Sequence, residues 1–355
     1  MTKVIRKEEL IKQEILDIIN LVKNAKSKEE LQRIYKVFVY KRYIKDSISR
    51  YNEDKYYEYL AKPEEIDPSK IQPKLVVVSS KKERSLFRYL TYYWSFPVSE
   101  GVGRRLKILV MDEQNGKIIG LIGLKDPVIG LRIRDEHIGW NVKTKNEYLI
   151  HVFDAHILGA LPPYNTIFGG KLIASLLQSQ ELHDIVSKKY KFRHGFPIVL
   201  YTTTTVYGRS LMLTDTNWIY LGDTKGYSTF HLDYQKLREL LKGDEDAKKY
   251  KFGKGTNYPL RLARLVSKRL GIDITNVGAK RGFYILPLTS NYKAVLNGKE
   301  YPLFDLIMPS QTITDYVKEK MIIPRAKRVK MKQIPRVSEL MEEVKAYINI
   351  KKISI

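Results

Sequence analysis

The stretch Leu106-Lys-Ile-Leu-Val-Met-Asp-Glu-Gln-Asn115-Gly116-Lys-Ile118-Ile-Gly-Leu-Ile-Gly-Leu124 decides the fold class. Leu106, Ile108 and Val110 alternate with their neighbours toward Asn115-Gly116, and Ile118 to Leu124 returns as an apolar run. Alternation into Asn-Gly is the strongest short-range signal for a β-hairpin. Upstream, Val76 to Val78 is a short apolar run, and Ser80 with Glu83 forms a capping box that opens a helix through Leu86, Phe87, Leu90 and Trp94. Downstream, the pattern predicts a strand from Tyr148 to Leu161, a turn-rich loop from Pro162 to Gly170, and a helix from Lys171 to about Tyr190. Pro197-Ile-Val-Leu-Tyr-Thr-Thr-Thr-Thr205 is β-branched and reads as a buried strand. The alternation of strands and helices predicts an α/β protein with a mixed central sheet flanked by helices.

The flanks complete the outline. Leu10, Ile11, Ile15, Ile18, Ile19 and Val22 repeat at helical spacing, and Ser27 with Glu30 starts a second helix through Leu31, Ile34, Tyr35 and Phe38. These predict an N-terminal helical hairpin in segment 1–61, followed by a proline-rich linker over residues 62–73. The core is expected over 74–232. A charged helical excursion (233–252), a basic helix (Leu260 to Leu270) and a closing strand (Gly282 to Leu288) occupy 233–300. Residues 301–355 read as a basic C-terminal extension, with a basic linker from Lys318 to Lys332 and a last helix near Val337 to Ile348.

Composition bounds the function. At 355 residues the chain is long enough for roughly two domains of ~150 residues. It contains no cysteine, which excludes a disulfide scaffold, a thiolate metal site and a cysteine nucleophile. No apolar run approaches the ~18 residues that span a bilayer, and the start lacks a signal-peptide core, so no membrane association and a cytoplasmic location are expected. Lys and Arg number 63 against 39 Asp and Glu, a net charge of +24. That excess points to a polyanionic partner, DNA above all, or else to a solvated basic surface.

Three groups of residues could carry chemistry. Arg134-Asp135-Glu136-His137 is the densest cluster of proton-transfer groups, with Asp135 the first choice of base and Glu136 and His137 beside it. The alternative is a salt-bridged turn between strands, with Trp140 in the core. Arg209, Asn217, Trp218, Thr224 and Lys225 form a polar patch that could clamp phosphate, read an adenine edge and stack on a base. The alternative there is a polar hairpin with a buried tryptophan. Arg261, Arg264 and Lys268 share one helix face, and Arg325, Lys327 and Arg328 lead a run free of acidic residues, so both segments are expected to contact nucleic-acid phosphates. The six histidines, His137, His151, His156, His183, His194 and His231, are scattered. Strand alternation puts Asp154 and His156 on one face and His151 on the other, which is poor metal geometry, so no metal site is expected.

Motifs across residues 70–300 resemble the Druantia anti-phage protein DruA family. They include Pro97-Val-Ser-Glu-Gly-Val-Gly-Arg-Arg-Leu106, Ile119 to Pro127, Arg134 to Trp140, Leu161-Pro-Pro-Tyr-Asn165 and Gly169-Gly-Lys-Leu172. Asn217 to Gly226, Gly253 to Asn257 and Arg281 to Leu288 continue the series in order. The order of elements also resembles the GNAT N-acyltransferase fold, and Asn217-Trp218 is similar to the Mom-like DNA-modification proteins. These resemblances imply a GNAT-like sheet order and group transfer to an amine, on a nucleobase for instance. They also imply acyl-coenzyme A as cofactor, with Asn165, Gly169, Gly170 and Lys171 as its cradle and Tyr207 as a general acid. The loop departs from Arg/Gln-x-x-Gly-x-Gly/Ala in either register. The other reading is a non-catalytic DNA-binding subunit for a helicase or nuclease partner.

Overall fold

A computed structural model describes residues 2–46, 52–101, 103–230, 232–242, 244–245 and 258–353. His231, the end of the charged excursion (246–252) and the motif at 253–257 lie outside the described residues. Helix α1 (Thr2–Lys23) turns into α2 (Lys28–Lys45) at Ser27, whose hydroxyl accepts from the Glu30 amide at 3.1 Å. The Glu30 carboxylate reaches past Ser27 to the Lys26 amide (2.8 Å), so only half of the expected box forms. A single turn, α3 (Asp54–Tyr57), precedes strand β1 (Pro73–Val77). Helix α4 (Lys81–Leu90) carries the complete Ser80/Glu83 box and buries Leu86, Phe87, Tyr89 and Leu90.

The decisive hairpin is β2 (Arg105–Asp112) and β3 (Lys117–Lys125), with Ile108 opposite Ile122. It closes through residues 113–116, where Gly116 takes a positive φ of 69°. Seven strands make one sheet in the order β1-β2-β3-β4-β5-β7-β6. The others are β4 (Val152–Ala160), β5 (Leu200–Thr204), β6 (Ile219–Tyr227) and β7 (Lys280–Pro287). All neighbours are antiparallel except β4 and β5, which pair in parallel through three residue pairs, Val152–Asp154 against Leu200–Thr202.

Between β3 and β4 lie α5 (Arg132–Ile138) and α6 (Val142–Tyr148). The predicted strand therefore begins four residues late. Asn141 caps α6 by accepting from the Thr144 amide (2.9 Å), and a tight turn over Leu149–His151 follows. The loop at 162–170 contains a helical turn, α7 (Tyr164–Phe168). The single helix expected from Lys171 to Tyr190 is broken into α8 (Lys171–Ser175) and α9 (Gln180–Lys189). Ser179 caps the second, and buried Gln178 between them donates to the Pro287 carbonyl (3.0 Å). Apolar spacing runs on across that break, which is why it reads as one helix. Beyond β6, α10 (Tyr234–Leu240) and α11 (Tyr258–Leu270) precede β7. Next come α12 (Tyr292–Leu296), α13 (Ser310–Val317), α14 (Ile323–Ala326) and α15 (Val337–Ile350). The expected basic linker is helical as far as Ala326, because Ile322 and Met321 pack into the core beneath the sheet.

Helices α7 to α9 and α13 cover one face of the sheet, burying Ile108, Ile122 and Phe153 with Tyr164, Leu172 and Leu182. Helix α4 and the start of α15 cover the other face. The N-terminal helices share a separate core with α10 and α11, in which Ile15, Ile19, Ile34 and Tyr35 meet Leu237, Leu262 and Val266. No helix among the described residues is long and apolar enough to cross a membrane.

Candidate functional site

Past Asp154 and Thr202 the parallel ladder stops, and a cleft of about 1020 Å3 occupies the gap between β4 and the residues following β5. Three segments wall it. Residues 202–210 form one wall, turning sharply at 205–208. The Thr205 hydroxyl bonds to the Gly208 carbonyl, and the Gly282 amide of β7 donates to Thr205 Oγ1 at 3.1 Å. A Cβ on residue 282 would lie 2.7 Å from the Gly208 carbonyl oxygen, so only glycine lets this turn cross the strand. Residues 94–99 form the second wall. The half-buried Lys36 ammonium anchors them by donating to the Tyr92 and Trp94 carbonyls (2.5 and 2.8 Å), and desolvation pulls its pKa down to about 7. Residues 127–134 form the third.

The floor is ionic. Asp154 accepts from the Thr202 hydroxyl (3.0 Å) and pairs with Lys125 (3.3 Å). His156, next on the same strand face, has neither ring nitrogen bonded among the described residues. Burial, helped by the fields of Lys125 and Lys107, lowers its pKa to about 4, so at neutral pH it is an uncharged imidazole. Arg281, at the start of β7, lines the cleft and makes no hydrogen bond or ion pair within the described residues. Burial lowers its pKa, opposed by the fields of Tyr234, Tyr35 and Asp154. In all, seven cationic and three acidic side chains line the cleft.

One end is aromatic. Phe96 and Phe230 stack at 5.9 Å and 19°, and Phe96 meets Tyr207 edge-on at 6.3 Å. Trp94 continues the row, 6.1 Å from Phe96. Tyr207 stacks on Tyr35 at 5.7 Å, and the Lys28 ammonium lies 5.7 Å from its ring centre. Its hydroxyl sits 3.3 Å from Ser95 Oγ, and burial raises its pKa, so the phenol stays protonated.

The structure brings some of the expected site residues together and separates others. Tyr207, Arg209, Thr224, Lys225 and Glu136 line the cleft; Asp135 and His137 do not. Asp135 is clamped by Arg134 (2.7 and 2.9 Å) and Lys145 (2.8 Å). Glu136 pairs with Arg132 (2.6 Å), and His137 Nε2 bonds to the Tyr292 hydroxyl (2.8 Å). The motif is a short helix, not a turn joining the strands directly, and it puts Arg134 and Glu136 on the cleft lining and Asp135 and His137 off it. Arg209 lies over the Tyr220 ring at 5.7 Å. Asn217 donates to Gln178 (2.7 Å), and Trp218 is buried, with its indole N–H on the Ala174 carbonyl (3.0 Å). Asn165, Gly169, Gly170 and Lys171 stand outside the cleft lining. Arg261, Arg264 and Lys268 lie exposed on α11, away from its buried face. Arg325, Lys327 and Arg328 are exposed too, and Arg325 donates to the Thr166 carbonyl at 2.8 Å. Among the described residues no group of three or more His, Asp or Glu is placed to hold a metal ion.

Lys28, Phe96, Lys125, Asp154, His156, Thr202, Phe230 and Arg281 are among the cleft residues that sequence reasoning did not select. The shared strand face of Asp154 and His156 was the available signal. Both do line the cleft.

Comparison with known proteins places the chain in a family. No solved structure matches the chain. The chain is 36% identical over 294 residues to the Druantia protein DruA of Escherichia coli (strain UMEA 4076-1), covering 76% of this chain and 73% of that protein. The family model described as Druantia protein DruA matches residues 7–298, a span that contains every cleft residue from Lys28 to Arg281. On both grounds the chain belongs to the Druantia protein DruA family, the anti-phage family whose motifs its sequence carries.

Proposed function

We propose that this DruA-family chain defends against phage by binding nucleic acid, DNA first, and acting on it at the cleft between β4 and β5. One observation carries the reading: the cleft gathers seven cations against three carboxylates around a neutral, unbonded imidazole. Such a site attracts phosphate. The exposed basic residues of α11 and of the Arg325–Arg328 segment extend the positive surface. The reaction class proposed is group transfer to an amine on a nucleobase, within a GNAT-like core. Its support is the run of hairpin, strand, helix and strand (β2, β3, β4, α8–α9, β5), with β4 and β5 parallel.

The loop at Gly169–Lys171 does not fit as a cradle for acyl-coenzyme A. A Cβ on Gly170 would lie 2.8 Å from Met212 Sδ, and Lys171 is neutralised by Asp215 at 2.8 Å. The reading therefore names no donor. That closed loop favours a second reading, in which the chain is the non-catalytic DNA-binding subunit of a helicase or nuclease partner.

A salt titration of DNA binding tests the common ground. Each phosphate contact contributes a slope of about −0.9 in log K against log salt on duplex DNA. Arg261→Gln/Arg264→Gln and Arg325→Gln/Arg328→Gln are expected to weaken binding to all sequences alike and to flatten that slope. Absence of binding at low salt refutes both readings. Chemical alteration of bases in DNA exposed to the purified protein and its partners separates the first reading from the second.

A further inference from the structure

We infer that the cleft receives one nucleotide, its base against Phe96, Tyr207 and Phe230 and its phosphate on Arg281. This rests on the nucleic-acid reading above and names the unit that enters the site.

Two independent features meet here. The first is a cation without a counterion. Arg281 is partly exposed, so solvent in the cleft reaches its guanidinium, and an anion can take over those contacts. Arg281 has no hydrogen bond or ion pair among the described residues, while every other arginine named at the cleft is provided for: Arg132 by Glu136, Arg134 by Asp135, Arg209 by the Tyr220 face. Asp154, a carboxylate whose field reaches Arg281, already takes Lys125 and the Thr202 hydroxyl. A bound phosphate would supply the missing acceptors, and the planar fork of arginine suits it.

The second feature is the aromatic end. Phe96, Tyr207 and Phe230 line one end of the cleft as a contiguous aromatic cluster. Aromatic faces take bases of any sequence by stacking. The two features are adjacent: the Arg281 backbone bridges to Gly208, the residue after Tyr207. The volume, about 1020 Å3, lies at the top of the ~300–1,000 Å3 range of small-molecule sites.

The nucleotide could be free or part of a strand, and the test has an arm for each source. Binding of adenosine 5′-monophosphate, adenosine and inorganic phosphate to the whole protein is measured by calorimetry. The monophosphate is expected to bind at least about tenfold tighter than adenosine, a difference erased in Arg281→Gln and retained in Arg281→Lys. Phe96→Leu should weaken the monophosphate and adenosine together. Equal binding of all three by the wild type, or an unchanged preference in folded Arg281→Gln, overturns the inference. In the second arm, 2-aminopurine is placed in single-stranded and duplex DNA. A fluorescence change that Phe96→Leu and Arg281→Gln abolish, read at protein concentrations where a gel shift shows the DNA fully bound, assigns the nucleotide to a strand. Monophosphate binding without that change assigns it to a free nucleotide. Loss of all DNA binding by the wild type refutes the broader reading, and calorimetry still decides this one.

Discussion

Asp135→Asn separates structure from chemistry at the most conspicuous motif in the sequence. The carboxylate stands between two cations: Oδ1 takes Nε and Nη2 of Arg134 at 2.9 and 2.7 Å, and Oδ2 takes Lys145 at 2.8 Å. Arg134 also ties down the Val128 and Ile129 carbonyls (2.8 and 2.9 Å) and lies 5.4 Å from the Trp140 ring centre. The pair is well enclosed, with side-chain exposures of 1% for Arg134 and 16% for Asp135. Asparagine keeps the shape and removes the charge, leaving a buried guanidinium uncompensated. Breaking such a pair costs about 3–5 kcal/mol, and the lower end applies because Arg134 keeps its two carbonyls. Unfolding entropy of about 2.1 cal/mol/K per residue gives roughly 0.75 kcal/mol/K for this chain, so the melting temperature should fall by about 4 °C. Differential scanning calorimetry reads that shift, and phage plating on cells carrying the variant reads defence. Melting within about 1 °C of the wild type would refute the clamp. If defence were lost in such a variant, the carboxylate would be a chemical group after all.

Trp218→Ala should destabilise by about 3–5 kcal/mol through the cavity beneath α8, while Trp218→Phe leaves any base preference as it was, measured by melting and by binding to oligonucleotides of different sequence. Gly282→Ala should cost about 1–3 kcal/mol as the 205–208 turn is pushed off β7, seen as a lower melting temperature together with weaker ligand binding in the cleft. Acid should destabilise the protein between pH ~6.5 and 4. Burial holds His151 and His156 at about 4, whereas in the unfolded chain they titrate near ~6.5, so the unfolded state binds protons first and stability falls as pH drops through that window. His156→Gln should flatten the melting-temperature profile there, and an unchanged profile would contradict a buried neutral imidazole.

What the sequence made legible were features that neighbours in the chain write together. The β2–β3 hairpin, the Ser80/Glu83 box and the β-branched run into Thr204 each depend on a few consecutive residues, and each appears where its pattern falls. The cleft is different. Lys28, Lys125, Asp154, Tyr207 and Arg281 come from five places in the chain and meet only because β4 and β5 part after three rungs. The dense run Arg134–His137 is legible for a reason that is local. Charges that are adjacent in sequence readily satisfy one another, as Arg134 does Asp135 and Arg132 does Glu136. The neutral imidazole and the unpaired guanidinium sit among residues that give no such signal.

The last rung of the parallel ladder has a bearing on genetics. Asp154 pairs with Thr202 in the sheet, and its side chain ties together β3 through Lys125, β4 through its own backbone and β5 through the Thr202 hydroxyl. It is also the acid of the cleft floor. One residue is thus both the joint between the two halves of the sheet and part of whatever the cleft does, so a screen for lost defence will return Asp154 alleles for two unrelated reasons. Thr202→Val narrows them. It removes one hydrogen bond from the joint, at about 1 kcal/mol, and leaves the carboxylate and its Lys125 partner in place, although Thr202 itself also lines the cleft. The loss at position 154 beyond that seen at 202 therefore belongs to the carboxylate itself, as the partner of Lys125 or as the acid of the floor.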